Sequence, residues 1–186
     1  MKKIIIAIDS FKGCLTSAEA GKAAEKGIKS INPFCHTSVI PIADGGEGLL
    51  DVLITATKGK YITLSAHGPL MKMAKTHYGL SGNGRTAIIE MAAISGLPLV
   101  PIEQRNPMLT TTFGTGELIK DALNKGCRNF IIGIGGSATN DAGLGMLQAL
   151  GFRFLDKSGH TLGTGGQIME AVANIDTSGI HPALRE

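Results

Sequence analysis

The sequence predicts an α/β protein built on a doubly wound, mostly parallel sheet with a β-rich insertion or subdomain. Units of strand, loop and helix recur three times along the chain, and each loop that follows a strand carries glycines and polar side chains. Between the second and third units, the sequence changes to short β-leaning stretches separated by glycine-containing turns. We therefore expect ligands to bind at the carboxyl edge of the sheet, where such loops meet.

The first unit begins with the run KKIIIAI, which is short, apolar and typical of a strand covered on both faces. The loop DSFKGCL follows it and contains Asp9, Ser10 and Lys12. A helix should then begin near Thr16, because Thr16 and Glu19 have the spacing of a capping box. The three polar loop residues thus lie between a strand and a helix.

The second unit consists of the predicted strand TSVIPI, the turn ADGGEG and the helix LLDVLITATKG, which should end at Gly59. The third consists of the helix ELIKDALNKG, the strand NFIIGI and the turn GIGGSATND. The intervening stretches KYITLSA, KTHYGLS and RTAIIEMA favour antiparallel strands. We divide the chain into the first part of an α/β domain (1–59), a β-rich insertion or subdomain (60–102) and the α/β continuation (103–186).

Composition argues against several classes of function. A net charge of +3 and the lack of tryptophan do not favour a nucleic-acid-binding protein. Cys14, Cys35 and Cys127 are widely spaced without a zinc-ligand pattern, which indicates a reducing compartment. The N-terminal apolar run ends at Asp9, too early for a signal peptide, and no segment approaches a membrane span. We expect a cytoplasmic protein that binds neither nucleic acid nor membrane.

One motif in the β-leaning segment resembles a nucleotide-binding P-loop. Residues 79–86 spell G-x-x-x-x-G-R-T, one residue from the P-loop sequence. That motif requires a lysine and a following helix, whereas Arg85 stands between two predicted strands. We favour a hairpin turn at this position.

The turn after NFIIGI supports two different functions. Gly133, Gly135 and Ala138 fit the dinucleotide fingerprint G-x-G-x-x-A. Asp156 follows the next predicted strand, where a ribose-binding acid is expected. This interpretation predicts an NAD(P)-dependent oxidoreductase.

The same turn carries polar side chains that a dinucleotide cradle does not need. N–H groups at a helix start suit phosphate, and Gly135, Gly136 and Ser137 would form such a nest. Asn140 and Asp141 then place a carboxylate where a pyrophosphate must approach, a repulsion that Mg²⁺ would remove. Alternatively, Asp141 complements the dipole in the first turn of a helix that Asn140 caps.

Together the three loops supply carboxylates, a lysine and an N–H-rich turn, the groups that phosphoryl transfer requires. Ordinary Asp-Gly turn chemistry explains ADGGEG equally well when that turn is taken alone. Lys12 is our candidate for charge neutralisation, and Asp9 and Asp44 are candidates for metal or base. The candidate catalytic residues are Asp9, Lys12, Asp44 and Asp141, of which Asp44 and Asp141 are also candidate metal ligands; the candidate substrate- or nucleotide-binding residues are Ser10, Gly45, Gly46, Glu47, Gly135, Gly136, Ser137, Thr139 and Asn140.

Five segments resemble, in order and spacing, the glycerate kinase family that includes the bacterial glycerate 2-kinases: IAIDSFKG, PIADGGEG, GRTAIIEMA, RNPMLTTTFGTGELI and IIGIGGSATNDAGLGMLQALG. The resemblance implies an α/β enzyme that phosphorylates D-glycerate with ATP and Mg²⁺, giving 2-phosphoglycerate. This chain departs from the family at Ile8, Cys14 and Ala142, where proline, serine and glycine are usual.

The resemblance covers only the N-terminal part of family members, which continue into further strands and glycine-rich, acidic loops. It implies that this chain is a fragment, a truncated form or an incomplete gene product, and that it lacks any active-site groups that the absent part supplies. We expect such a fragment to expose apolar surface, to self-associate and to show no turnover by itself. A folded but inactive chain is therefore a third functional alternative, beside the kinase and the oxidoreductase.

Overall fold

A computed structural model describes residues 3–185, which form a mixed α/β fold. The strands are β1 (Lys3–Ile6), β2 (His36–Val39), β3 (Lys60–His67), β4 (Met73–Leu80), β5 (Thr86–Glu90), β6 (Asn129–Gly133), β7 (Arg153–Leu155) and β8 (Asn174–Asp176). The α-helices are α1 (Ser17–Ile31), α2 (Leu49–Thr57), α3 (Ala92–Ser95), α4 (Phe113–Asn124) and α5 (Leu144–Ala149). Short 3-10 helices span Leu97–Leu99, Ile102–Gln104, Gly166–Ala171 and Pro182–Leu184. The predicted α/β class is confirmed.

The described strands form three sheets. β1 pairs with β2 in parallel, and β7 pairs with β8 antiparallel. The largest sheet has the order β3-β4-β5-β6, in which β5 and β6 are parallel and the other pairs antiparallel. The predicted hairpin at residues 79–86 is confirmed, since it joins β4 to β5. Segment 60–102 supplies three of the four strands of this sheet, and the domain boundaries at its two ends stay predictions.

Helix α1 begins with the predicted capping box. Thr16 Oγ1 accepts a hydrogen bond from the Glu19 N–H at 3.2 Å, and Glu19 Oε2 accepts one from the Thr16 N–H at 2.8 Å. The Ser17 hydroxyl next to this cap donates to the Ile8 carbonyl at 2.6 Å and accepts from the Ile42 N–H at 3.0 Å. Ser17 therefore ties the start of α1 to the loops that follow β1 and β2.

The main core lies between α4 and the largest sheet. Alternate residues of a strand face opposite sides, so Ile89 of β5 packs with Leu118 of α4 while Ile88 packs with Leu50 of α2. Both faces of β5 are thus covered. Helix α2 is held against the sheet, which fixes the position of the ADGGEG turn at its N-terminal end.

Tyr78 is the largest side chain of this core. Its hydroxyl donates to Asp121 Oδ2 at 2.9 Å, which satisfies the buried polar group. Burial, together with this hydrogen bond, raises the pKa of Tyr78. The bond therefore joins β4 to α4.

Some apolar residues of β1 and of the β6 region are exposed. Ile5 is 60% exposed and Ile134 is 74% exposed, and Ile131 of β6 is exposed as well. The predicted self-association of the chain stays a prediction. Within residues 3–185, no helix is long and apolar enough to cross a membrane; the cytoplasmic location also stays a prediction.

Candidate functional site

A cleft of about 1100 Å³ lies where three loops meet. The loops are the one between β1 and α1, the ADGGEG turn before α2 and the turn after β6. The structure thus brings together loops that are far apart in sequence and that follow strands. The predicted site residues that line this cleft are Ser10, Lys12, Asp44, Gly45, Gly46, Glu47, Gly135 and Gly136.

The two glycine-rich turns touch through their backbones. The Gly135 N–H donates to the Gly45 carbonyl at 3.2 Å, and a Cβ added at Gly135 would lie 2.6 Å from the Gly46 Cα. A Cβ added at Gly133 would lie 2.6 Å from the Gly45 carbonyl oxygen. Side chains do not fit at such distances, so glycine is required at both positions for the turns to pack.

The contact between the two turns accounts for Gly133 and Gly135, so these glycines do not require a bound dinucleotide. Helix α5 begins only at Leu144, so no helix N-terminus directly follows the turn. Asp156 accepts the N–H groups of His160 at 2.9 Å and Ser158 at 2.8 Å within its own turn. These hydrogen bonds, chiefly the one from His160, lower the pKa of Asp156. The oxidoreductase alternative is therefore not favoured.

The cleft has one lysine beside the acidic turn. Lys12 Nζ lies 3.8 Å from Asp44 Oδ2, and both side chains are exposed, at 72% and 58%. Asp44 Oδ1 also accepts the Gly46 N–H at 3.1 Å. An exposed ion pair of this kind contributes little to stability. Lys12 and Asp44 can therefore give up their contact with each other and bind a ligand at a small cost in free energy.

Glu90, at the end of β5, also lines the cleft, and sequence reasoning missed it. Its Oε2 accepts the N–H groups of Gly48 at 3.2 Å and Leu50 at 3.3 Å, at the start of α2. Burial raises the pKa of Glu90 against these two hydrogen bonds, and the charges of Asp51 and Glu47 raise it further. The sequence signal for Glu90 is only an acid at the end of the β-leaning stretch RTAIIE, and its closeness to the glycine turn follows from the pairing of β5 with β6.

Asp141 lies outside the cleft and outside a helix. The prediction that it occupies the first turn of a helix is wrong, because α5 begins at Leu144 with Gly143 as its N-cap. The prediction that Asn140 caps this helix is wrong for the same reason. Asp141 is only 1% exposed, whereas Asn140 is exposed and does not line the cleft.

The Asp141 carboxylate accepts hydrogen bonds from five protein donors. The backbone donors are the N–H groups of Thr112 at 2.8 Å, Gly143 at 3.1 Å and Gly145 at 3.2 Å. The hydroxyls of Thr111, at 3.2 Å, and Thr112, at 3.0 Å, donate as well. A carboxylate offers about four lone-pair sites, so protein groups fill its capacity. Asp141 thereby ties the loop before α4 to the start of α5.

The remaining predicted residues lie elsewhere in the same region. Asp9 belongs to the loop between β1 and α1 without lining the cleft, and its Oδ1 accepts the Ser10 N–H at 2.7 Å. Ser137 and Thr139 line a second cavity of about 260 Å³, together with Arg105. In the turn itself, the N–H groups of Gly136 and Ser137 have no hydrogen-bond acceptor among residues 3–185.

Glycine-rich and polar loops that meet around one cleft define an α/β protein with a candidate ligand site at the ends of its strands. More particularly, the chain belongs to the glycerate kinase family, whose model matches residues 4–186. This confirms the resemblance found in the sequence.

Individual relatives agree with this assignment. The chain is 54% identical to a glycerate kinase of Bacillus subtilis (strain 168), over 98% of this chain and 48% of that protein. It is 49% identical to the glycerate 2-kinase of Escherichia coli (strain K12), over 99% of this chain and 48% of that protein. The crystal structure of a protein assigned as glycerate kinase 2 from Salmonella typhimurium LT2 matches with a TM-score of 0.83 and 49% identity, over 96% of this chain and 48% of that one. The chain spans about half the length of the curated relatives it matches.

Proposed function

We propose that this chain takes part in the ATP- and Mg²⁺-dependent phosphorylation of D-glycerate to 2-phosphoglycerate. The observation that carries this proposal is the cleft in which Lys12, Asp44 and two glycine-rich turns meet, in a member of the glycerate kinase family. The names of the relatives support glycerate as the acceptor, and the name glycerate 2-kinase supports the 2-hydroxyl as the phosphorylated group.

The donors in the cleft fit Mg²⁺ that is shared between protein and phosphate. Within the described residues, no group of three or more His, Cys, Asp or Glu side chains is arranged to hold a metal by itself. Mg²⁺ commonly takes one or two carboxylates together with substrate phosphates and waters, and the exposed Asp44 and Glu47 would supply the carboxylates. When bound, Mg²⁺ would neutralise charge on the phosphates.

The groups of the chain then have separate tasks. The free N–H groups of Gly136 and Ser137 bind phosphate oxygens, and the Lys12 ammonium offsets their negative charge. In the transfer, the glycerate hydroxyl oxygen bonds to the terminal phosphorus of ATP, and the bond from that phosphorus to the ADP oxygen breaks. The hydroxyl proton passes to a carboxylate, for which Asp44 in the cleft and Asp9 beside it are our candidates.

We assign Asp141 a positioning role instead of a metal or base role. Its carboxylate is buried, and its accepting capacity is used by the donors around it. By joining the loop before α4 to the start of α5, it fixes the end of the turn that begins at Gly133. Its effect on transfer is therefore indirect.

The first experiment measures which ligand the purified protein binds. ATP with Mg²⁺ should raise the unfolding temperature, because a ligand of the native state at 100 times its Kd adds about 2.7 kcal/mol of stability. NADH should not raise it. Protection by NADH alone would contradict the kinase proposal.

The second experiment measures ADP release with and without D-glycerate, for this chain and for this chain joined to the remaining half of a curated relative, because the chain spans about half of that relative's length. Replacing Asp44 with Asn should lower glycerate-dependent release by roughly 10²-fold, the effect typical of losing a positioned acid or base. The matched control is Asp156→Asn, which removes a carboxylate outside the cleft and should leave release unchanged. The phosphorus signal of the product should couple to the single proton on carbon 2. Binding of ATP without ADP release would instead support a folded but inactive chain.

A further inference from the structure

The turn that follows β6 contributes to two cavities of different size. Gly135 and Gly136 line the cleft of about 1100 Å³, whereas Ser137 and Thr139, only a few residues later, line the cavity of about 260 Å³. Sites for drug-sized ligands run from about 300 to 1,000 Å³. The cleft is thus large enough for a nucleotide, and the smaller cavity is suited to a much smaller molecule.

The two cavities also differ in charge. The lining of the large cleft has one lysine and several acids, namely Glu19, Asp44, Glu47, Asp51 and Glu90. In the smaller cavity, the lining within the described chain contains a single ionisable side chain, that of Arg105. The rest is apolar, hydroxyl or amide. An acidic ligand without a metal ion is therefore matched by the smaller cavity and repelled by the larger.

Arg105 has hydrogen-bond donors that a ligand can use. Its Nε donates to the Val100 carbonyl at 3.2 Å, which anchors the guanidinium at the cavity. Within residues 3–185, its terminal N–H groups have no hydrogen-bond partner and it forms no ion pair with a carboxylate. Arg105 is exposed, so a ligand can reach it from solvent. The guanidinium edge formed by the two terminal nitrogens is therefore free, and such an edge is the protein group best shaped to bind a carboxylate.

The hydroxyls of the cavity leave one donor for a ligand. Thr110 Oγ1 donates to the Ala138 carbonyl at 2.7 Å, so its hydrogen is used. Ser137 and Thr139 share one hydrogen bond of 2.7 Å between their hydroxyls, and Ser137 Oγ also accepts the Thr139 N–H at 3.0 Å. Two hydroxyls carry two hydrogens, and one is used within the pair. The other is available whichever hydroxyl donates.

The neighbouring amide adds further donors. Asn106 Oδ1 accepts the Met108 N–H at 3.0 Å, and its Nδ2 group keeps two hydrogens without a partner in the described part of the chain. The cavity therefore offers a cation, an amide and a free hydroxyl hydrogen. This combination is complementary to a small acid that carries hydroxyl groups.

We propose that the smaller cavity binds the acceptor, with Arg105 holding the carboxylate of D-glycerate and the Ser137–Thr139 hydroxyl pair contacting its hydroxyls. This inference rests on the proposed function, because it names the acceptor site of the same reaction. In this arrangement, the backbone N–H groups of Gly136 and Ser137 bind phosphate, and the side-chain hydroxyls of Ser137 and Thr139 bind the acceptor. Arg105 determines specificity for an acid over a neutral polyol.

The test compares a charge change in the protein with a charge change in the ligand. D-glycerate affinity is measured by calorimetry for the wild-type protein and for Arg105→Gln. The variant should bind D-glycerate about tenfold more weakly or worse, since a charge-assisted hydrogen bond is lost. D-glyceramide, the neutral amide of the same acid, should bind both proteins equally weakly. Arg105→Lys keeps the charge and should restore part of the affinity.

The matched control is Arg85→Gln, which removes an exposed arginine in the β4–β5 turn that lines neither cavity. It should bind D-glycerate as the wild type does. In steady-state assays, Arg105→Gln should raise the KM for D-glycerate and leave the KM for ATP and the kcat unchanged. A merely structural role would change both KM values together.

The outcomes separate this inference from the proposed function. If the wild type binds D-glycerate and Arg105→Gln binds it equally well, the acceptor site lies elsewhere and the kinase proposal stands. If the wild type neither binds D-glycerate nor releases ADP in its presence, both fall. An equal loss of affinity for D-glycerate and D-glyceramide in the variant would also overturn the role of Arg105.

Discussion

Two aspartates, both in glycine-rich turns, have opposite surroundings. Asp44 lies at the cleft, is 58% exposed along its side chain, and contacts one N–H and Lys12. Asp141 is 1% exposed and accepts hydrogen bonds from five donors. Their sequence contexts, ADGGEG and TNDAGLG, are alike in composition. Residue type therefore does not distinguish the aspartate available to a ligand from the one that holds the fold.

The difference follows from what each carboxylate would lose on binding a ligand. When Asp44 binds a ligand, it loses contact with water and with an exposed lysine, which costs little free energy. Asp141 would have to give up hydrogen bonds from buried donors, and buried donors without partners are costly. We therefore expect stability to depend on Asp141 and ligand chemistry to depend on Asp44.

The largest expected effect is that of Asp141→Asn on stability. The substitution removes the charge from several hydrogen bonds and turns an NH₂ group towards existing donors, so the free energy of unfolding should fall by about 3 kcal/mol or more. Urea unfolding measures it. Asp44→Asn is the matched control and should change this free energy by no more than about 0.5 kcal/mol. Equal losses in the two variants would remove the distinction between the two sites.

The next effect concerns the contact between the glycine turns. Gly135→Ala places a Cβ 2.6 Å from the Gly46 Cα, and forcing a side chain into a packed region costs about 1–3 kcal/mol. Gly27, in the middle of α1, has open space around its Cβ position, so Gly27→Ala should stabilise by about 0.5–1 kcal/mol. Opposite shifts in unfolding temperature are expected. A neutral Gly135→Ala would show that the turns can separate.

Features set by neighbours along the chain were predictable from the sequence. The capping box of Thr16 and Glu19 and the hairpin at residues 79–86 depend on short spacings, and both were correct. The meeting of the strand-end loops followed from the α/β class. The surroundings of Asp141 were not predictable, because its donors Thr111 and Thr112 lie 29 or 30 residues away. Their approach depends on how α4 and α5 pack.

Glu90 was missed for the same reason. Its partners Gly48 and Leu50 precede it by 42 and 40 residues, and the contact exists because α2 packs against β5. As a half-buried carboxylate with two N–H donors, Glu90 is intermediate between Asp44 and Asp141. The titration of Glu90 therefore tests how burial changes the behaviour of a carboxylate between the extremes of Asp44 and Asp141. The expected change in stability is the smallest of those predicted here.

The predicted effect is a pH-dependent difference between Glu90→Gln and the wild type. Burial raises the pKa of Glu90 in the folded protein, so the folded state keeps its proton above about pH 4.3, where an unfolded glutamate loses it. Stability from this group is therefore present at low pH and lost as pH rises through the folded pKa. Glutamine cannot ionise, so the Glu90→Gln variant should become more stable relative to the wild type as the pH rises through the folded pKa of Glu90.

Urea unfolding at several pH values from about 4 to 7 measures this difference. The control is Glu103→Gln, at an exposed position in the 3-10 helix Ile102–Gln104, and it should follow the wild type throughout. The charged neighbours Glu47 and Asp51 also line the cleft and strengthen the expected trend, because their own ionisation disfavours that of Glu90. A difference that stays constant with pH would mean that Glu90 is as well solvated as Asp44, and that the start of α2 is open to water instead of being held against β5.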